Sequence, residues 1–162
     1  MRTGAAADDG AVDRSTAQAL ARGGALLSVI SLVTPWYVLE AGSLRGVGKS
    51  GVAALGGWAL VLAVLAVAAT SSLLGRAHRL LPPLAGAALA LLVLAKIASP
   101  PAPASAFGAT SGDAAQAELE ASLANVISDA VGLHYTPAWG IWLAAIGAGA
   151  ALVGAIAAAT RR

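Results

Sequence analysis

The chain contains no cysteine, one phenylalanine and only eight acidic side chains among 162 residues. Without cysteine, no disulfide staples an outer loop, and thiolate-based metal or redox chemistry is excluded. The acids stand at Asp8, Asp9, Asp13, Glu40, Asp113, Glu118, Glu120 and Asp129, outside the core of every long apolar run. Intramembrane carboxylates and histidines are the usual parts of proton relays and ion paths, so their absence removes most pump and carrier chemistry. Histidine is scarce too, with only His78 and His134. No metal site is expected from a single imidazole on each side of a membrane.

What remains is apolar. Hydrophobic residues make up 58% and charged residues 11%, and the mean hydropathy is +0.78, whereas a soluble domain carries roughly 25% charged residues. A bilayer core about 30 Å thick needs roughly 20 apolar residues per helix. Four runs approach that length, over 19–39, 52–74, 80–97 and 139–160. Run 52–69 offers no polar face for a soluble bundle, and no alternation suits a membrane barrel. The expected fold is all-α: a polytopic four-helix membrane bundle, with residues 1–18 as a flexible tail and 19–162 as one transmembrane domain.

The ten basic residues set an orientation. Arg2, Arg14, Arg22, Arg76, Arg79, Arg161 and Arg162 fall on one side of the four runs, and only Arg45, Lys49 and Lys96 on the other. The positive-inside rule then places both termini in the cytoplasm of an inner (plasma) membrane protein, with loops 40–51 and 98–138 outside. Arg22 and Lys96 stand close to span ends, from which long basic side chains snorkel to the headgroups. A cleaved signal peptide is the competing reading of the first run. The residues Leu39-Glu40-Ala41 offer no small-x-small cleavage site, so the run is read as a retained span. Pro82 and Pro83 mark a helix start.

One soluble element is legible. Asp113 with Gln116 three residues on suits a capping box, and Leu119, Leu123, Val126, Ile127, Ala130 and Val131 recur at helical spacing. Gly132 then ends a helix over 113–131. Its polar face is acidic, unlike the basic face of most membrane-surface helices. It is therefore expected to dock over the outer ends of the bundle, as a lid, or on a partner, through Glu118, Leu119, Glu120, Leu123 and Ile127.

All seven aromatic residues fall in the outer half of this topology. An aromatic belt accounts for rings at one interface. The same rings, with nearby polar groups, also suggest an outward cleft lined by Trp36, Tyr37, Glu40, Arg45, Trp58, His134, Tyr135, Trp139 and Trp142.

Other motifs exclude more than they offer. Residues 43–50, SLRGVGKS, nearly spell a phosphate-binding loop, but Ser43 stands where the first glycine belongs and the segment lies outside the cell. No nucleotide is expected, and a net charge of +2 that topology explains argues for no nucleic acid. Serine nucleophiles lack a placed relay. Ser28, Ser31 and Thr34 share a face, suited to interhelical hydrogen bonds or a polar path. In the last run, small residues form ridges that include Gly140, Gly147 and Gly154, allowing close helix approach.

Pro35-Trp36-Tyr37 at the exit of the first run and Trp-Gly-Ile-Trp-Leu at 139–143 resemble the uncharacterised small four-helix membrane proteins of actinobacteria; the resemblance carries no activity. The tetraspan claudin type is similar in helix count, but its loop cysteine pair is missing. The expected function is a non-enzymatic membrane protein without cofactors, an accessory or interaction subunit using its extracytoplasmic face toward a membrane-protein partner or further copies of itself. The alternative is a small oligomeric permeation or transport protein.

Overall fold

A computed structural model describes residues 14–71, 80–102 and 114–160. Helix α1 (Arg14–Ile30) runs into a 3-10 turn at Ser31–Val33. Strands β1 (Pro35–Ala41) and β2 (Leu44–Ser50) follow, then α2 (Gly51–Leu55), α3 (Trp58–Thr70), α4 (Leu81–Ala98), α5 (Ala114–Val131), β3 (Leu133–Pro137) and α6 (Trp139–Thr160). Three helical stretches, Ser15–Val33, Leu81–Ala98 and Trp139–Thr160, are long and apolar enough to cross a membrane.

The all-α expectation is corrected by a three-stranded antiparallel sheet of order β2-β1-β3. The first apolar run does not stay helical to residue 39. Thr34 precedes a proline, which disfavours helical backbone, and it is extended at φ −93°, ψ 158°. The Trp-Tyr-Val-Leu sequence beyond it then follows its β propensity. Residues 40–51, expected as a loop, complete a hairpin in which Ala41 pairs with Leu44 across a two-residue turn. Gly42 opens that turn at φ +60°, a backbone region that costs glycine little.

The second run is also divided. Gly56, at φ +56°, with Gly57 separates α2 from α3, which spans only 13 residues, or about 20 Å at the helical rise. By contrast, α6 occupies 139–160 as the sequence implies, and α4 opens with Pro82 and Pro83 in its first turn. Helix α1 begins by Arg14, within the stretch expected as a tail, whose residues 1–13 lie outside the described residues. The candidate cap Asp113 does too, and so do Arg76 and Arg79.

Helix α6 is the common neighbour of the bundle. It packs along α1 and α4 and touches α3, while α3 also packs on both α1 and α4. The core joins Leu62 and Ala66 of α3, Leu89 and Val93 of α4 and Ile141, Ala144, Ala148 and Ala151 of α6 to Ala25, Leu32, Trp36 and Tyr37. The α1–α6 seam is the closest approach. A methyl group on Gly147 would stand 2.7 Å from the carbonyl oxygen of Gly24 and from Ser28 Oγ, and one on Gly154 would stand 2.6 Å from the Ala17 carbonyl oxygen. Those separations are far inside van der Waals contact, so the seam requires glycine at both positions.

Helix α5 is not the expected lid. Its main packing partner among the described elements is the adjacent β3, and Leu119, Leu123, Val126 and Ile127 are all more than half exposed. Gly132 ends it at φ +66°, its N–H bonded to the Asp129 carbonyl at 3.2 Å, as the sequence implies.

Candidate outer-face site

The sheet is tied to the helix ends by two aromatic residues. Trp36 is fully buried and its indole N–H donates to the Ser31 carbonyl at 2.8 Å. Gly51 leaves the space for that ring, since a methyl there would stand 2.6 Å from Trp36 Nε1. The Trp36 carbonyl in turn accepts from Ala138 N–H at 2.7 Å, which holds the entry to α6 against β1. Tyr37, also fully buried, donates its hydroxyl to the carbonyl of Lys96 at the end of α4. Burial raises the Tyr37 phenol above its ordinary range, because desolvation disfavours the phenolate.

On the tyrosine side of the sheet, the Tyr37 and Tyr135 rings meet edge-on, 6.3 Å between centroids. Lys49, opposite Tyr37 in the ladder, places its Nζ 5.7 Å above the Tyr135 ring, within cation–π range. Tyr135 packs against the buried core. This side of the sheet therefore rests on the ends of the helices.

Alternation along β1 carries Glu40 to the other register. It pairs with Arg45 on one neighbouring strand and with His134 on the other. Its carboxylate meets Arg45 Nε at 3.0 Å and His134 Nε2 at 3.8 Å. His134 Nδ1 lies 3.1 Å from the Gly132 carbonyl, which can only accept, so Nδ1 is the donor in that contact. One carboxylate thus bridges all three strands.

The nine residues of the expected cleft separate into four settings. Glu40, Arg45 and His134 come together, as do Tyr37 and Tyr135. Trp36 is enclosed at the start of β1, beside Ser31 and Gly51. Trp58, Trp139 and Trp142 are each more than half exposed on the helices, where interfacial rings belong. Lys49 joins the tyrosines and was missed as a site residue. The sequence carried no signal for it, because a regular hairpin that pairs Ala41 with Leu44 sets position 48 across from 37, and the register shift between Val38 and Glu40 is what brings Lys49 there. The segment that resembles a phosphate loop is strand β2, and Ser50 caps α2 by accepting from Ala53 N–H at 3.3 Å.

A lone bridging carboxylate with a guanidinium and an imidazole supports ion pairing and hydrogen bonding at a surface. Among the described residues no group of three His, Cys, Asp or Glu side chains could hold a metal ion. Compared with known proteins, the chain matches no family model, and neither a curated protein nor a solved structure is similar to it.

Proposed function

We propose that the protein is a non-enzymatic multi-pass membrane protein that acts as an accessory or interaction subunit through its extracytoplasmic face, with both termini in the cytoplasm. The observation that carries this reading is the division of polar groups. Glu40, Arg45 and His134 are gathered on a structured sheet, while among the described residues the buried polar side chains of the helices are hydroxyls. Those hydroxyls are committed to backbone carbonyls. Ser28 donates to Gly24 at 3.0 Å, Ser31 to Ser28 at 2.6 Å and Thr34 to Ser31 at 2.7 Å. That arrangement serves packing and weighs against the permeation alternative, which wants polar groups facing a path.

The partner surface in this reading is the charged side of the sheet with the acidic residues Glu118 and Glu120. Rim charges of this kind act mainly on encounter and specificity, through a field that salt screens. The test is recovery of bound proteins from native membranes in mild detergent. Reversing Arg45 to Glu, or Glu118 and Glu120 to Lys, lowers recovery of a stable partner, and lowers it most at low salt. Unchanged recovery in both folded variants, or ion conductance by the purified protein in liposomes, overturns the proposal.

A further inference from the structure

Helix α5 presents three faces. At 100° per residue, Leu119, Leu123, Val126, Ile127 and Ala130 fall within an arc of about 100°, and each is exposed. Ala124 and Ser128, turned well away from that arc, are buried, so the face toward the protein is a different one. Glu118, Ser122, Asn125 and Asp129 form the third face, also exposed. The apolar stripe therefore looks outward with no cover from the elements described. Contiguous exposed apolar surface of this kind marks a contact with something other than water.

Two attachments hold the sheet to which α5 is joined. The tyrosine side of the sheet rests on the helix ends through Tyr37 on the Lys96 carbonyl and Tyr135 on the core. Strand β3 leads from α5 to Trp139, the first residue of α6. Trp139, Trp142 and Trp58 are exposed, and in the proposed membrane reading such rings mark the boundary between hydrocarbon and headgroups. Leu60, Val64, Ile146 and Val153 are exposed on the helices, and in the same reading they are the surface that meets lipid.

We infer that α5 is an interfacial helix, its stripe of Leu119, Leu123, Val126, Ile127 and Ala130 seated in the outer leaflet as a continuation of the bundle's own lipid contact. The occupant of the stripe is lipid. Among its residues 114–131 the helix has no Lys or Arg and carries Glu118, Glu120 and Asp129, so it suits zwitterionic headgroups and is repelled by anionic ones. The arrangement also turns Glu118 and Asp129 toward water and leaves Glu120, half-buried, at the edge of the stripe. It rests on the membrane reading of the three long helices and is independent of any partner.

The absence of native cysteine makes a direct test practicable. Single cysteines at 118, 119, 122, 123, 125, 126 and 127 of the full chain carry a nitroxide in liposomes of phosphatidylcholine. Relaxation by oxygen, which concentrates in lipid, is compared with relaxation by a water-soluble nickel chelate. The oxygen-to-chelate ratio is expected to oscillate with a period of about 3.6 residues, high at 119, 123, 126 and 127 and low at 118, 122 and 125. The stripe should lie about 5–10 Å below the headgroups, and adding phosphatidylglycerol should make it shallower.

Labels at Val64 and Val153 separate the two readings. If they report lipid while the stripe is as open to the chelate as residue 118, the stripe faces water and the inference falls alone. If the stripe is shielded from both reagents, protein covers it, a partner or a second copy, and the inference falls equally. Chelate access at Val64 and Val153 themselves overturns the membrane reading and this inference with it.

Discussion

The α1–α6 seam and the outer surface of α5 are both built from small and apolar residues, yet they meet opposite fates. Along the seam, Gly24, Gly147 and Gly154 bring two backbones so close that no added atom fits. On α5, the leucines and valines of an equally regular stripe are left exposed. The difference lies in side-chain size. In lipid, helices gain nothing by hiding apolar area from one another, so small residues that permit close backbone contact decide which faces join. Bulky residues without such ridges are left facing outward.

That contrast predicts a hierarchy of sensitivity, greatest where sheet and seam are joined. Trp36→Ala removes a fully buried ring from the point where β1, α2 and the start of α6 converge. It should cost about 3–5 kcal/mol, read as a loss of folded protein by thermal unfolding in detergent. A loss no greater than that of an exposed Trp58→Ala control would show that the joint is not structural.

Within the seam, Gly147→Leu or Gly154→Leu should wedge α6 from α1 and cost about 1–3 kcal/mol or more. Val153→Leu, on the exposed side of the same helix, should be tolerated. Equal tolerance at the three positions would erase the distinction between the seam and the exposed face.

Tyr37→Phe keeps the packing and removes the hydroxyl bond to Lys96, a loss of about 0.5–1.5 kcal/mol. The phenol also gives a pH signature. Because burial raises its pKa, the folded state holds the Tyr37 proton more tightly than the unfolded chain does. Its contribution is complete below the unfolded value of about 10 and is lost as pH rises through the folded value. Stability should therefore fall in that alkaline range, and fall less steeply in Tyr37→Phe.

The smallest effect is expected on the open side of the sheet. Arg45 is 82% exposed in its pair with Glu40, and such surface pairs contribute about 0–1 kcal/mol. Glu40→Gln should shift the unfolding midpoint slightly, and less at high salt. A loss comparable to that at the seam would mean that the bridge across the strands organises the sheet.

The sequence was legible where one period dominated. The last span opens at Trp139 and closes at Thr160 as its composition implies, and Gly132 ends α5 because a left-handed residue was needed there. The first outer loop was not legible, because Trp36, Tyr37, Val38 and Leu39 continue an apolar run that suits a helix as well as a strand. Only the proline before them and the Gly42-Ser43 turn favour a strand, and a pairing partner from residues 133–137, nearly a hundred positions away, has no local signature. The candidate cleft failed for the same reason: a list of outer aromatics does not say which rings a sheet will bury. Glu40, Arg45 and His134 share a cluster only because three strands put them in register.

The central proposal is that this chain crosses the membrane with its sheet on the outer side. A single cysteine at Ser43, in the hairpin turn, should react with a membrane-impermeant thiol reagent in intact cells, while a reporter fused after Arg162 reads as cytoplasmic. Protection of Ser43 in intact cells that disappears on permeabilisation, together with an external signal from the terminal reporter, would contradict it.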